Sequence, residues 1–374
     1  MEKDVFVVAD NVLSPIGKTT IENFDQLKKN ISGVKEQHDP AISPRPFFAS
    51  LFNDRDINIE PGRTKFEQLL IDSIADALQN SGIDPIDKKT ILIVSSTKGN
   101  ISLLETEEHT PELERRIALS TSARLVAENF GFVNIPIIIS NACISGVMGI
   151  ITGMRLLRTG QYENAVVAGV DVISSFVLSG FESFQALSTQ VCRPFDKSRD
   201  GLNLGEGAAT IILSTDKQYA GNIKVLGGSV SNDANHISGP SRTGQELSFA
   251  IDQSLKEAVL STDDISFISA HGTATPYNDE MEAKAINLSN LQSVPLNSLK
   301  GYYGHTLGAA GLIESVISIQ SLKEELLLPT PGYNESGVTQ SVNVVTDIKP
   351  IQAKNFIKTA SGFGGCNAAV IFGK

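Results

Sequence analysis

Ile135-Pro136-Ile137-Ile138-Ile139-Ser140-Asn141-Ala142-Cys143-Ile144-Ser145-Gly146 is an apolar run that passes through a small polar turn into a cysteine. A continuous apolar run of this kind reads as a strand buried on both faces, the habit of parallel sheets in α/β proteins. From Cys143 the pattern becomes amphipathic and reads as a helix to about Leu157. A thiol at a helix start sees unpaired N–H groups and the positive end of the dipole, and both favour thiolate. Gly146 and Gly149 leave room for other backbone to approach. A purely structural cysteine would read the same way, since cysteine is among the most buried residue types. Cys192 and Cys366 lack the strand–turn–helix context and read as structural.

The same alternation of short β-branched runs and helical periods extends in both directions, the sign of an α/β chain. Val5 to Val8 read as a strand entering a Ser14-Pro15-Ile16-Gly17 turn. Thr19 to Asn30 read as a helix with Ile21, Phe24 and Leu27 on one face. Thr64 to Asn80 read as a second, with a Thr64/Glu67 capping box, a Phe66, Leu70, Ile74, Leu78 stripe and Gly82 as its C-terminal cap. Further strands are expected at Ile91 to Val94, Val166 to Ala168, Thr210 to Leu213, Ile223 to Val230, Ile265 to Ser269 and Val370 to Phe372. Helices are expected over Gln245 to Leu260, Asp279 to Leu288 and Ala309 to Leu322. The polar stretch Ser214 to Asn222 is the best break in composition. Each side of it holds strands that lead through small-residue turns into helices, which suggests two halves of similar topology, 1–214 and 215–374.

Three more segments could carry chemistry. In Phe267 to Asp279, His271 ends an apolar strand and faces a loop whose hydroxyls, Thr273 and Thr275, alternate. That spacing suits an extended polar ligand arm. In Leu299 to Gly311, His305 lies just before a helix of small residues, where the dipole favours a neutral imidazole able to donate to an oxyanion. Lys300 stands five residues earlier and could set the local field. In Ser361 to Asn367, three glycines surround Phe363, whose N–H could face a ligand. Each segment alone could be ordinary packing or an ordinary turn. Together, one cysteine and two histidines at strand ends fit a thiol nucleophile with two imidazoles for acyl transfer. The G-x-S-x-G, Walker, H-E-x-x-H and CxxC patterns of rival chemistries are missing.

Bulk properties exclude other classes. With 374 residues and 41% apolar content the chain can bury one large core or two fused ones. A net charge of -11, from 31 basic and 42 acidic side chains, argues against a nucleic-acid surface. Three unpaired cysteines argue against a disulfide framework and a zinc site. The start has no basic n-region or long apolar h-region, and no stretch is long enough to span a bilayer, so a cytoplasmic location is expected.

The ordered set of motifs resembles the β-ketoacyl-acyl-carrier-protein synthases of thiolase fold, closest to the elongating type with a Cys-His-His site. Ala142-Cys143-Ile144-Ser145-Gly146 is similar to the nucleophile motif. Arg193-Pro194-Phe195-Asp196, Arg199-Asp200-Gly201 and Gly205-Glu206-Gly207-Ala208 resemble the stretch after it. His271 to Pro276 with Asp279 and Glu282, then Lys300 to Gly311, resemble the two histidine motifs, and Gly362-Phe363-Gly364-Gly365 with Asn367 the gating loop.

The resemblance implies a thiolase-like fold, two αβα halves in a five-layered αβαβα arrangement, in a homodimer or heterodimer. It implies that Cys143 takes an acyl group from a carrier protein, with its own N–H and that of Phe363 as oxyanion hole. His271 and His305 would decarboxylate the malonyl donor, ordered by Lys300 and Glu282. Thr273, Thr275 and Ser238 would contact pantetheine. Gly362 would lie on the gating loop, and Ile144 would narrow the acyl pocket. No cofactor or metal is needed, because loss of carbon dioxide drives enolate formation.

The chain departs from the family pattern at Asn278, Leu202, Cys366 and Ile144 and looks reduced over Gly99 to Asn129. These departures point to a specialised synthase, in fatty acid or related polyene and polyketide synthesis. Alternatives are a non-catalytic chain-length partner of a ketosynthase heterodimer, against which Cys143 and both histidines argue, and an initiating synthase or thiolase. An acidic carrier protein would need a local basic patch, with Arg63, Lys65, Arg115 and Arg116 as candidates.

Overall fold

The computed structural model describes residues 3–235 and 239–374. Eleven strands form its frame. The first half supplies β1 (Phe6–Leu13), β2 (Thr90–Ser95), β3 (Ile137–Ile139), β4 (Asn164–Asp171) and β5 (Gly207–Ser214). The second supplies β6 (Lys224–Asn232), β7 (Ile265–Ser269), β8 (Pro295–Asn297), β9 (Asn343–Val344), β10 (Asn355–Gly362) and β11 (Cys366–Gly373). They lie in the order β9-β8-β7-β10-β11-β6-β1-β5-β4-β2-β3. The β6–β1 seam is a short contact around Phe6 and Lys224, so the frame divides there into two sheets.

Outward from the seam the two sheets repeat one pattern. β1–β5 and β5–β4 are antiparallel, then β4–β2 and β2–β3 are parallel. β6–β11 and β11–β10 are antiparallel, then β10–β7, β7–β8 and β8–β9 are parallel.

Helices α1 (Thr20–Lys28), α2 (Lys65–Gln79), α3 (Leu119–Phe130), α4 (Ser145–Arg158), α5 (Ser175–Ser183), α6 (Gln245–Ala258), α7 (Pro276–Leu288) and α8 (Ala310–Glu324) cover and separate the sheets. Three apolar cores define the layers. Phe66, Leu70 and Ile74 of α2, with Ala123 and Val126 of α3, pack on Leu92, Val94 and Ile212 of the first sheet. Leu247 and Ile251 of α6, with Met281 and Ile286 of α7, pack on Ile268, Ile357 and Ile371 of the second. Between the sheets, Val147 and Ile150 of α4 and Leu312 and Val316 of α8 share one core with both. The result is the αβαβα stack of a thiolase-like fold.

The central helices meet at paired glycines. A Cβ on Gly146 would stand 2.7 Å from Leu312 N, and one on Gly311 2.9 Å from Val147 N. From Ala310 to Leu322 every residue of α8 is buried. A helix enclosed on all sides has no polar face to show as periodicity.

Several local expectations hold and some change. Thr64 and Glu67 form the capping box, and the Ser14–Gly17 turn closes through both backbone bonds. The α2 helix ends at Gln79 with Asn80 as its cap, while Gly82, at φ 69°, shapes the turn beyond. Ile21 is exposed rather than on the packed face of α1, which buries Asn23 beside Phe24 and Leu27. The run at Ile135 is not a doubly buried strand. Pairing covers only Ile137–Ile139, at the sheet edge, and Ile135 is 87% exposed. Pro136 can donate no ladder bond there.

Candidate active site

Cys143 sits in an elbow between β3 and α4 rather than on the helix, which begins at Ser145. Ala142 takes a left-handed φ of 44° to make the bend. Such a backbone is costly for alanine and needs support. Ser145 supplies it: its hydroxyl accepts from Asn141 N–H at 2.8 Å and donates to Ala142 O at 2.6 Å. The Cys143 thiol is buried, and burial, with the neighbouring Cys366, pushes it up to about 12 against the opposing charge of Lys300. This corrects the expectation of a resting thiolate. The helix end contributes only about 1 kcal/mol, less than desolvation costs. The Phe363 backbone N–H offsets a small part of that rise.

Phe363 heads the hairpin between β10 and β11. Gly362 pairs with Cys366, and Gly364 and Gly365 take φ of 88° and 78°. The segment is therefore a hairpin turn and a wall of the site at once. A Cβ on Gly362 would stand 2.9 Å from both Cys143 N and Cys366 Sγ, so only glycine lets the turn sit against the elbow. The Phe363 ring stacks on Phe181 at 5.6 Å and meets the edge of Phe184 at 5.0 Å.

His271 ends β7. Glu282 of α7 accepts its backbone N–H at 2.8 Å, the Gly272 N–H at 2.7 Å and the Thr359 hydroxyl at 2.6 Å. Asp279 holds the rest of the loop through Thr273 N–H, Ala274 N–H and Phe195 N–H, so the Arg193–Asp196 stretch buttresses this loop. Burial raises Asp279 to about 6 against those donors. Thr275 caps α7, and its hydroxyl lies 2.9 Å from that of Thr273.

His305 is clamped between Asn203 O and Gly205 N–H, which places the Gly205–Ala208 stretch against this turn. Its Nδ1 accepts the Leu307 N–H at 3.2 Å, so a neutral imidazole carries its proton on Nε2. The following turn is tied down by Asp171, which accepts from Gly308 N–H, Thr97 N–H and Ser96 Oγ. The two imidazoles stand edge to face, centroids 5.3 Å apart. Burial first, then Lys300 and Lys358, hold both well below the ordinary histidine range, His305 adding to the effect on His271.

Cys143, His271, His305, Thr273, Thr275, Gly362 and Phe363 line one cleft of about 330 Å³, with Leu202, Asn278 and Phe181. Lys300 and Glu282 stand behind it, fully buried. Ile144 does not reach the cleft wall. It lies in the central core with Val147 and Ile150. Ser238 falls outside the described residues. Cys192 is buried, its N–H donating to Asn203. Sequence reasoning missed Glu314, Lys358 and Asp171. The first two are polar breaks inside otherwise buried elements, a signal open to a reader who already knew those elements were enclosed.

The four candidate basic residues are each held by a carboxylate. Lys65 meets Glu206, Arg63 meets Glu60, Arg115 meets Glu112 and Arg116 meets Glu67. Among the described residues no helix is long and apolar enough to cross a membrane, and no His/Cys/Asp/Glu group could hold a metal.

A duplicated αβαβα frame with a cysteine and two histidines in one cleft at the central helix ends defines a thiolase-like protein of the condensing class. The chain belongs to the beta-ketoacyl synthase family: the N-terminal domain profile of that family matches residues 2–219 and the C-terminal domain profile residues 223–334. It is 28% identical to the 3-oxoacyl-[acyl-carrier-protein] synthase 2 of Vibrio harveyi over 100% of this chain and 99% of the relative. It is 26% identical to the enzyme of the same name from Staphylococcus aureus (strain N315), over 100% and 98%. Among solved structures, the ishigamide ketosynthase/chain length factor superposes with a TM-score of 0.90 at 24% identity, over 100% of both chains. A beta-ketoacyl synthase from Burkholderia phymatum STM815 gives 0.90 at 23%, again over 100% of both.

Proposed function

We propose that this chain is a β-ketoacyl-[acyl-carrier-protein] synthase that joins an acyl group held on Cys143 to a malonyl unit by decarboxylative Claisen condensation. The observation that carries the reading is the meeting of one buried thiol, the Phe363 backbone and two buried imidazoles in a single cleft.

The chemistry follows from those groups. Cys143 Sγ attacks the thioester carbonyl of an acyl carrier protein. The oxyanion lies between the N–H groups of Cys143 and Phe363. A new C–S bond forms, the old one breaks, and the thiol proton passes by an imidazole to the departing pantetheine sulfur. A neutral imidazole is the right shuttle for a thiol that burial keeps protonated. The malonyl thioester then binds with its carbonyl oxygen facing the imidazoles. The Nε2–H of His305 donates to it, and His271 supports the same oxygen. The C–CO₂⁻ bond breaks, its electron pair becomes an enolate, and carbon dioxide leaves. The enolate carbon attacks the acyl-Cys143 carbonyl, the C–S bond breaks, and Cys143 leaves as thiolate and takes one proton from solvent.

Thr273 and Thr275, on the cleft wall, would receive the pantetheine arm, and an acyl carrier protein would dock at that mouth. The edge strand β3, with Val133 and Ile135 exposed beside it, supports association with a second thiolase-like chain, a homodimer in the first instance. Residues 1–214 and 215–374 would be its two halves, each carrying part of the site.

The test is reconstitution. Purified alone and given acyl- and malonyl-loaded carrier protein, the chain should form an acyl adduct on Cys143 and release β-ketoacyl product and carbon dioxide. A chain that forms no adduct until a partner is added would turn the assignment toward a chain-length partner.

A further inference from the structure

Beneath the two imidazoles lies a lysine that the chemistry above does not use. Lys358 is the middle of β10, a strand buried along almost its whole length, and its side chain is fully enclosed. An ammonium has three donors and no acceptor. Here it pairs with Glu314 Oε2 at 2.6 Å and donates to Ser269 O at 3.1 Å and Ala270 O at 3.0 Å. Lys300 takes the other oxygen of Glu314 and donates to His271 O at 3.1 Å. Two ammonium groups therefore share one carboxylate, and between them bind the carbonyls of three successive residues, 269 to 271. A buried lysine so placed is expensive to keep unless its site needs the charge or the geometry.

We infer that Lys358 is a positioning residue for malonyl decarboxylation, fixing the segment that runs from the end of β7 to His271 and placing positive charge beneath both imidazoles. This rests on the ketosynthase reading of the site. Lys358 does not line the cleft, so it acts through His271 rather than on substrate. The titratable groups around the imidazoles are Lys300 and Lys358, Glu314 between those lysines, Glu282 on the His271 backbone, Asp279 on the loop after it, Asp171 on the turn after His305, and Cys143 in the same cleft. Only the two lysines bring positive charge, and both push the histidines toward the neutral form. A neutral imidazole is what the enolate step requires, because it donates a proton-bearing nitrogen without first having to lose a charge.

The experiment compares wild type with Lys358→Met and Lys358→Gln, each as the whole chain. Carbon dioxide release from malonyl carrier protein is measured from pH 5 to 8, alongside acylation of Cys143. The expected result is retained acylation with decarboxylation slowed by about tenfold to a hundredfold. The acid limb moves to higher pH in both variants, since both remove the charge. Lys358→Gln, which keeps a donor to the carbonyls, loses less rate than Lys358→Met. A merely structural lysine would lower yield or stability without moving the limb. Variants with the wild-type rate and limb overturn the inference. So does histidine NMR of the wild type that finds His271 or His305 as imidazolium at pH 6, a result that needs no variant to fold. Wild type that forms no adduct and releases no carbon dioxide would refute the ketosynthase reading itself, a distinct outcome.

Discussion

The two central helices occupy matching places in the two halves, yet their N-terminal ends are built differently. α4 follows the Cys143 elbow, and that elbow is held by one serine hydroxyl and a left-handed alanine. α8 follows the His305 turn, and its interior carries Glu314, which is shared as counter-charge by two buried lysines beneath the imidazoles. One half presents a neutral thiol on a hydrogen-bonded bend. The other presents neutral bases over a charged foundation. On the proposed reaction, a duplicated frame divides the work into two electrostatic tasks, covalent holding on one side and charge management on the other.

The comparison can be broken at its strongest point by removing an imidazole. His305→Ala should slow malonyl decarboxylation by about 10²- to 10⁴-fold, the usual worth of a positioned acid–base group, while acyl transfer to Cys143 falls less. Equal loss of both steps, read from carbon dioxide release and adduct mass, would mean that the halves are not separate.

Next in size is the charged foundation. Glu314→Gln leaves two buried ammonium groups without their shared counter-charge, and should cost about 3 kcal/mol in urea unfolding. Removing the elbow's support by Ser145→Ala, with no charge involved, should cost about 1 kcal/mol. Similar losses would erase the contrast between the two ends.

The contact that joins the helices is a third handle. Gly146→Ala and Gly311→Ala each drive a methyl into the facing backbone and should destabilise by about 1 to 3 kcal/mol, measured by thermal or urea unfolding.

The smallest effect sharpens rather than breaks the comparison. Both histidines lie below their ordinary range, so they stay neutral as pH falls through 6.5. Decarboxylation should therefore hold its rate at that pH and decline only at lower values. A rate that halves at pH 6.5 would show ordinary, solvated imidazoles.

How much of this the sequence shows depends on which half is read. The Cys143 segment is legible because strand, small turn and helix follow one another in the chain, and His271 and His305 because each ends an apolar run at a glycine-rich turn. Glu282 is legible only through the family pattern, since nothing local says that a helix residue eleven positions on caps the His271 backbone. Glu314 and Lys358 are not legible as a pair, because their meeting depends on α8 passing between the sheets. The Ile135 run misleads for a related reason: continuous apolarity looks the same whether a strand is covered by its own chain or waits at an edge. The helix end alone predicts a Cys143 thiolate, and burial outweighs that end.

On the proposed reaction, holding the acyl group and activating the donor are separable tasks of the two halves. Cys143→Ala, given acyl and malonyl carrier protein and followed by intact mass and carbon dioxide release together, tests it most directly. The account predicts no acyl adduct and continued release of carbon dioxide. Loss of both signals in a folded variant, or a surviving adduct, would contradict it.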